Sequence, residues 1–159
     1  MDDFRTASAA ANTPVVPADF IALPLPEGFS AINGPFYGRR DGDGVAMGFL
    51  VEPRHCNPMG ISHGGMLMTF ADMTLAFTAN WALGGRVFVP TISLNCDFLS
   101  GAKVGSWVEG RGRMLRATGN MVFTQGLITV GEEVVMRCSG INKRPKEANG
   151  FIDLKKILP

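Results

Sequence analysis

Between Met66 and Trp81 the apolar residues Met66, Phe70, Met73, Phe77 and Trp81 recur every three or four positions, the spacing of one helical face. The other side carries Met68, Leu75 and Ala79, so the segment is apolar all round and predicts a helix buried on every side. Ser62 or His63 would start it, and Gly84 with Gly85 would stop it. Elsewhere the period changes to two. Residues 29–39 and 45–52 read as a hairpin turned at Asp41, Gly42, Asp43 and Gly44. Residues 86–99, 105–117, 119–130 and 132–142 alternate or are rich in β-branched side chains. They are broken at residues 100–103, at 118–120 and at Gly131, which predicts a four-stranded meander with short turns.

Two strands, a long helix and four strands predict an α+β chain in which an antiparallel sheet curls round a central helix. Only a curved sheet hides a helix from water on all sides. Residues 1–28, rich in Ala and Pro, read as an N-terminal arm with one helical turn near 18–22. Residues 29–144 form the domain, and residues 145–159 a tail that ends in a short helix or a frayed end at 153–158. A length of 159 residues favours one domain with a real core.

Composition narrows the class. The formal net charge is +1 with Lys and Arg scattered, which argues against a nucleic-acid partner, since that needs a basic stripe. Residues 64–85 are nearly long enough to span a bilayer. Their glycines, threonines, Asn80 and central Asp72 would be costly in hydrocarbon, so the reading is a buried helix and no membrane. Cys56, Cys96 and Cys138 are odd in number and widely spaced, which suits free thiols. Met1, Asp2 and Asp3 are followed by no continuous apolar run, against a secretory signal, and a cytoplasmic location is expected. His55 and Cys56 beside His63 lack further ligands at metal spacing, so no metal is expected. No P-loop, GxGxxG or GxSxG occurs.

The candidate chemistry lies between Asn57 and Asp72. His63, Gly64 and Gly65 stand where a loop enters the helix, and the first turn of a helix leaves N–H donors unsatisfied and partly positive. Such donors can hold a carbonyl oxygen as its charge grows during attack. Asp72 lies about two and a half turns further on, the lone charge on an apolar helix. A carboxylate in apolar surroundings is expected to have a raised pKa and to be poised as base or nucleophile. An oxyanion site plus an activating acid suggests acyl transfer or hydrolysis. Taken singly, each feature also fits a helix cap, a close-packing glycine or a satisfied buried acid.

Asn57 six positions before His63, the run His63, Gly64, Gly65, and Asp72 nine after the His resemble the phenylacetic-acid-degradation-type (PaaI-like) hotdog thioesterases. The likeness covers roughly residues 29–144 and includes residues 98–105, although Gly101 stands where that family usually has Pro. The resemblance implies a hotdog fold and a homodimer joined sheet edge to sheet edge, often doubled into a tetramer. It also implies sites at the dimer interface, with Asp72 of one subunit facing Asn57, His63, Gly64 and Gly65 of its partner. On that carry-over Asp72 activates water or attacks the thioester, the Gly64 N–H binds the oxyanion, Asn57 positions water or carbonyl, and His63 orients the loop. The substrate it implies is an acyl-CoA, which itself carries coenzyme A, and no further cofactor. Arg111, Arg113, Arg116, Asn120, Lys143 and Arg144 are candidates for the phosphates, Ser100 for the neighbourhood of the reacting group.

Two alternatives remain: a hotdog dehydratase or hydratase of enoyl or hydroxyacyl thioesters, and a non-catalytic acyl-CoA-binding module. The acyl group is left open between an aryl group and a short or medium chain. Phe70, Phe77, Trp81 and Phe98 suit an aryl pocket or a core equally, and the nine methionines suit a deformable core.

Overall fold

The computed structural model describes residues 15–148 and 152–158. In chain order the elements are strand β1 (Ile21–Ala22), helix α1 (Phe29–Asn33), strands β2 (Tyr37–Asp41) and β3 (Gly44–Leu50), a 3-10 turn at Pro53–His55, and helix α2 (Gly64–Ala82). Strands β4 (Thr91–Phe98), β5 (Trp107–Ala117), β6 (Met121–Val130) and β7 (Glu133–Lys143) follow, then helix α3 (Leu154–Ile157). The strands form one antiparallel sheet in the order β1-β2-β3-β5-β6-β7-β4. Helix α2 lies across its concave face, which gives the α+β architecture that the pattern of periods predicts.

Helix and sheet meet closely because glycine lines the sheet beneath the helix. A Cβ on Gly110 would stand 2.3 Å from Thr74 Oγ1, and one on Gly112 would stand 2.4 Å from Thr78 Oγ1. The two threonine hydroxyls are satisfied within the helix, donating to the carbonyls of Phe70 and Thr74 at 2.8 Å each. The core then fills with Phe36, Phe49 and Phe70, all essentially buried, with Phe49 and Phe70 ring centroids 4.7 Å apart. Cys138 sits in this core opposite Cys96. Burial, with Cys96 beside it, pushes its thiol up to about 12.

Four expectations are corrected. Residues 29–33 are helical, and the strand begins at Tyr37. Pro35 offers no N–H to a ladder, so the preceding residues close on themselves instead, with the Ile32 N–H donating to the Gly28 carbonyl at 3.0 Å. Residues 18–22 hold no helix: one hydrogen-bonded turn closes from the Phe20 N–H to the Pro17 carbonyl at 3.0 Å, and Ile21 and Ala22 then pair with β2. The last four strands are not a simple meander. β5, β6 and β7 follow one another, but β4 crosses the sheet to pair with β7 and ends as its edge. Nor is α2 buried all round: Gly65 and Met68 are exposed, and Thr69, Asp72 and Ala76 only half-buried, so one stripe is open. Both termini of the described chain join the core, through Phe20 and Leu23 on one side and Leu154 and Leu158 on the other.

Candidate active site

The loop before α2 is shaped by its backbone. The Asn57 N–H donates to the Ile61 carbonyl and the Gly60 N–H to that of Asn57, while the Asn57 side-chain oxygen accepts from the Met59 N–H at 3.0 Å. Gly60, with φ of +73°, takes the left-handed turn this requires. Bridges from Cys56 to Ser62 and from Ile61 to Lys103 tie the loop to itself and to the segment after β4. The His63 N–H donates to the His55 carbonyl at 2.7 Å, which fixes where the helix starts.

His63 is the N-cap of α2, and its Nδ1 accepts from the Gly65 N–H at 2.9 Å. That consumes one of the helix's free donors. The Gly64 N–H meets no acceptor among the described residues and stands at the positive end of a helix of 19 residues. It is the donor left free in the first turn, where the Gly65, Met66 and Leu67 N–H groups are all taken up by His63. The Phe98 ring lies over Gly64, 3.3 Å from where a Cβ would be.

Asp72 lies on the open stripe of α2, half-buried rather than enclosed. Its Oδ1 accepts from the Thr91 hydroxyl at 2.6 Å. Asn142, 1% exposed, donates in turn from Nδ2 to Thr91 Oγ1 at 3.3 Å and to the Val89 carbonyl at 3.1 Å. Asn142 therefore orients Thr91, and Thr91 pins one carboxylate oxygen. Sequence reasoning missed both residues. The one available signal was Asn142, an amide at an inward position of a strand whose alternate residues Met136, Cys138 and Gly140 also face the helix side.

Asp72 opens onto a cavity of 230 Å³, walled by Met73, Ala76 and Phe77 of α2, by Leu25 and Ser30 of the N-terminal segment, and by Val87 to Val89. A second opening of 400 Å³ lies at His63, Gly65 and Thr69, with Phe29 and Asn33 on its rim. Helix α1 stands between the two, held by the Arg54 guanidinium, which donates to the Ile32 and Gly34 carbonyls. The N-terminal segment thus borders both openings, a contribution the sequence did not reveal. Of the four aromatic candidates only Phe77 lines the cavity at Asp72. Phe70 is in the core, Trp81 is tied to the Asp43 carbonyl at 2.7 Å, and Phe98 is exposed on the sheet edge.

The polar candidates divide. Arg111 and Arg113 alternate with the glycines that face α2, so they point to the opposite face of the sheet. There Arg111 pairs with Asp41 and Glu109, and Arg113 lies 2.7 and 2.8 Å from the Gln125 side-chain oxygen. Arg116 follows a bulge in β5 and is exposed. Asn120, Lys143 and Arg144 gather round the β5–β6 turn. The Arg144 N–H donates to the Asn120 carbonyl and its guanidinium to that of Thr118, both at 2.8 Å. The Lys143 N–H reaches the Pro90 carbonyl at 2.8 Å, next to Thr91, so this group lies at the Asp72 end of the molecule. Ser100 donates its hydroxyl to Glu133.

His55 and His63 are both engaged by backbone, His55 through Nδ1, which accepts from the Glu52 N–H at 3.0 Å. Burial, then the neighbouring Arg54 charge, holds the His55 pKa below its usual value. Among the described residues no group of three or more His, Cys, Asp or Glu is placed to hold a metal ion, and no helix is long and apolar enough to cross a membrane.

A seven-stranded antiparallel sheet wrapped round one long helix is the architecture of the hotdog fold. The thioesterase superfamily model matches residues 59–137. A Pseudomonas aeruginosa protein, PA0474, whose name proposes an esterase, is 30% identical over 131 residues, spanning 76% of this chain and 98% of that one. The chain belongs to the thioesterase superfamily. Zebra fish thioesterase superfamily member 2 superposes with a TM-score of 0.66 at 20% identity, over 73% of this chain and 86% of that one. The Escherichia coli PaaI protein from the phenylacetic acid degradation operon superposes with a TM-score of 0.66 at 16% identity, over 75% and 85%. A variant of the Thermus thermophilus PaaI phenylacetic acid degradation protein gives 0.64 at 19%, over 73% and 97%. These structures share the hotdog fold with this chain.

Proposed function

We propose that this chain is an acyl-CoA thioesterase that acts as a homodimer on a small aryl or short- to medium-chain acyl group. The observation that carries the reading is the pairing of a pinned carboxylate, Asp72, with an apolar cavity beside it and an unengaged N–H at Gly64. Within one chain those two groups cannot share a carbonyl, since eight residues of helix separate them by about 12 Å. Two features support a second copy closing the gap. Strand β4 ends the sheet with an edge that pairs with no further strand among the described residues, and it exposes Ile92 and Phe98, with Leu99 just beyond. The open stripe of α2, with Met68 and Asp72, runs beside it. A two-fold pairing there would set Asp72 of one subunit against Gly64 of the other.

In that site the pinned carboxylate keeps one oxygen on Thr91 and offers the other to the reaction. Acting as base, it takes a proton from water as the water oxygen bonds to the thioester carbon. Acting as nucleophile, it forms an acyl-carboxylate that water then opens. Both routes place negative charge on the carbonyl oxygen at the Gly64 N–H, and the C–S bond breaks as that charge returns. The thiolate leaves readily because thiols have a pKa near 8.5, so no strong acid is needed. Asn57 positions water or carbonyl from the partner loop, and His63, by holding Gly65, keeps Gly64 free. The coenzyme A phosphates suit Asn120, Lys143 and Arg144, which gather at the Asp72 end, better than Arg111, whose charge is paired with Asp41 and Glu109, and Arg113, held by Gln125. That other face, with Leu127 exposed among paired arginines, is the surface through which two dimers would form a tetramer.

The test is thiol release from phenylacetyl-, benzoyl-, butyryl- and octanoyl-CoA. Turnover of at least one member, with the matching oxygen ester slower, supports the reading. Tight binding without release would favour a binding module, and water addition to crotonyl-CoA without release would favour a hydratase.

A further inference from the structure

Helix α1 is amphipathic the wrong way round. Phe29 and Ile32, three apart on one face of the turn, are 68% and 70% exposed. Ser30 and Asn33, the same distance apart on the next face, are half-buried, Ser30 against the cavity at Asp72 and Asn33 against the opening at His63. A surface helix normally turns its apolar stripe inward. Here the apolar pair faces water beside a cavity walled by Leu25, Met73, Ala76, Phe77 and Val89. The Asn33 amide donates within the turn, to the Phe29 carbonyl at 2.8 Å, so it does not fasten α1 to the body. The Arg54 guanidinium does, through the Ile32 and Gly34 carbonyls, with Glu52 holding Arg54 from behind at 2.6 Å. Glycine caps the turn at both ends, Gly34 after it and Gly28 before it. Gly28 has φ of +131° and nothing within 4 Å of where a Cβ would stand, so the backbone there is free to turn. Successive residues lie about 100° apart round a helix, and a roll of that size exchanges Ser30 and Asn33 for Phe29 and Ile32.

Resting on the acyl-thioester reading above, we infer that α1 is a lid that rolls about Gly28 and Gly34 and lays Phe29 and Ile32 over the acyl group once the thioester is seated beside Asp72. Without an acyl chain the apolar pair has little to cover, and the bonds from Arg54 hold the turn polar side in. A seated chain supplies apolar surface from which the pair then excludes water. Closure gives up the two bonds to Arg54, so only a ligand that brings apolar surface shifts the balance. Coenzyme A alone leaves the lid as it stands.

The experiment uses S-octyl- and S-phenethyl-CoA, thioethers that cannot be hydrolysed, with coenzyme A as control. On the wild-type chain at least one thioether should bind more tightly than coenzyme A and slow amide hydrogen exchange at residues 29–33 by tenfold or more, while coenzyme A leaves that exchange unchanged. The double variant Phe29→Gln, Ile32→Gln changes two exposed side chains, so its urea midpoint and oligomer size should match the wild type. It should bind that thioether at least tenfold more weakly and coenzyme A within twofold of the wild type. Should the variant fail to fold, the exchange measurement on the wild-type chain decides alone. Unchanged exchange with a bound thioether, or wild-type affinity in the variant, overturns the lid and leaves the thioesterase standing wherever acyl-CoAs are still hydrolysed. A variant of altered oligomer size also overturns it, since the pair is then covered by a second subunit. Thioethers that bind no better than coenzyme A, with no thiol release from any acyl-CoA, overturn both readings.

Discussion

The Thr91 hydroxyl donates to Asp72 Oδ1 at 2.6 Å, joining the start of the edge strand to the middle of the central helix across 19 residues of chain. This contact decides which way the carboxylate faces, and Asn142 behind it decides which way the hydroxyl faces. Thr91→Val keeps the shape and removes the donor. It should lower kcat by roughly ten- to a hundredfold, the scale of a misplaced reacting group, with KM little changed. Steady-state kinetics on a variant of unchanged oligomer size checks it.

Gly64 stands at the first position of α2, where proline is tolerated, and His63 before it has φ −59° and ψ 139°, a conformation that proline accepts in its neighbour. Gly64→Pro therefore deletes the proposed oxyanion donor and keeps the helix. Thiol release should fall by about a hundred- to a thousandfold with helical content unchanged by circular dichroism.

If the two groups meet across the dimer, Gly64→Pro and Asp72→Asn fail in different halves of the same site. Refolding an equal mixture of the two inactive chains should restore about a quarter of wild-type activity, since half the dimers are mixed and each has one intact site. Recovery no greater than the sum of the separate variants would place both groups in one subunit.

His55 carries the pH dependence. Its pKa is lowered in the folded state by burial and by Arg54, so the unfolded chain binds that proton more readily. The stabilisation is complete above the unfolded value of about 6.5 and is lost as pH falls from there through the folded value. The urea midpoint of the wild type should drop between pH 7.5 and pH 5 by more than that of His55→Asn, which keeps an acceptor for the Glu52 N–H and cannot take up the proton.

The central helix was legible because its signal is local. Apolar spacing, the capping His63 and the stopping Gly84 sit within the element itself, and the helix runs from Gly64 to Ala82. Strands β5, β6 and β7 were legible for the same reason, each joined to the next by a short turn. The place of β4 was not. Alternation marks a strand but does not name its neighbour, and β4 finds β7 by burying Leu94 and Cys96 against the core from across the sheet. Helix α1 failed to show because Phe29 and Ile32 read as strand residues, and Pro35 alone tells against a ladder. In the site, Asp72, His63 and Gly64 stood out as odd residues in an apolar run. Thr91 did not, because it matters only through Asp72, which folding brings near.

The measurement that tests the account most directly is thiol release by Asp72→Asn on the best wild-type substrate. The substitution keeps shape and the hydrogen bond from Thr91 while removing the charge that a base or nucleophile needs. A rate lower by a factor of hundreds or more, with fold and assembly intact, is the predicted result. A variant that keeps its rate within tenfold of wild type would contradict it, and Asp72 would then be a structural partner of Thr91.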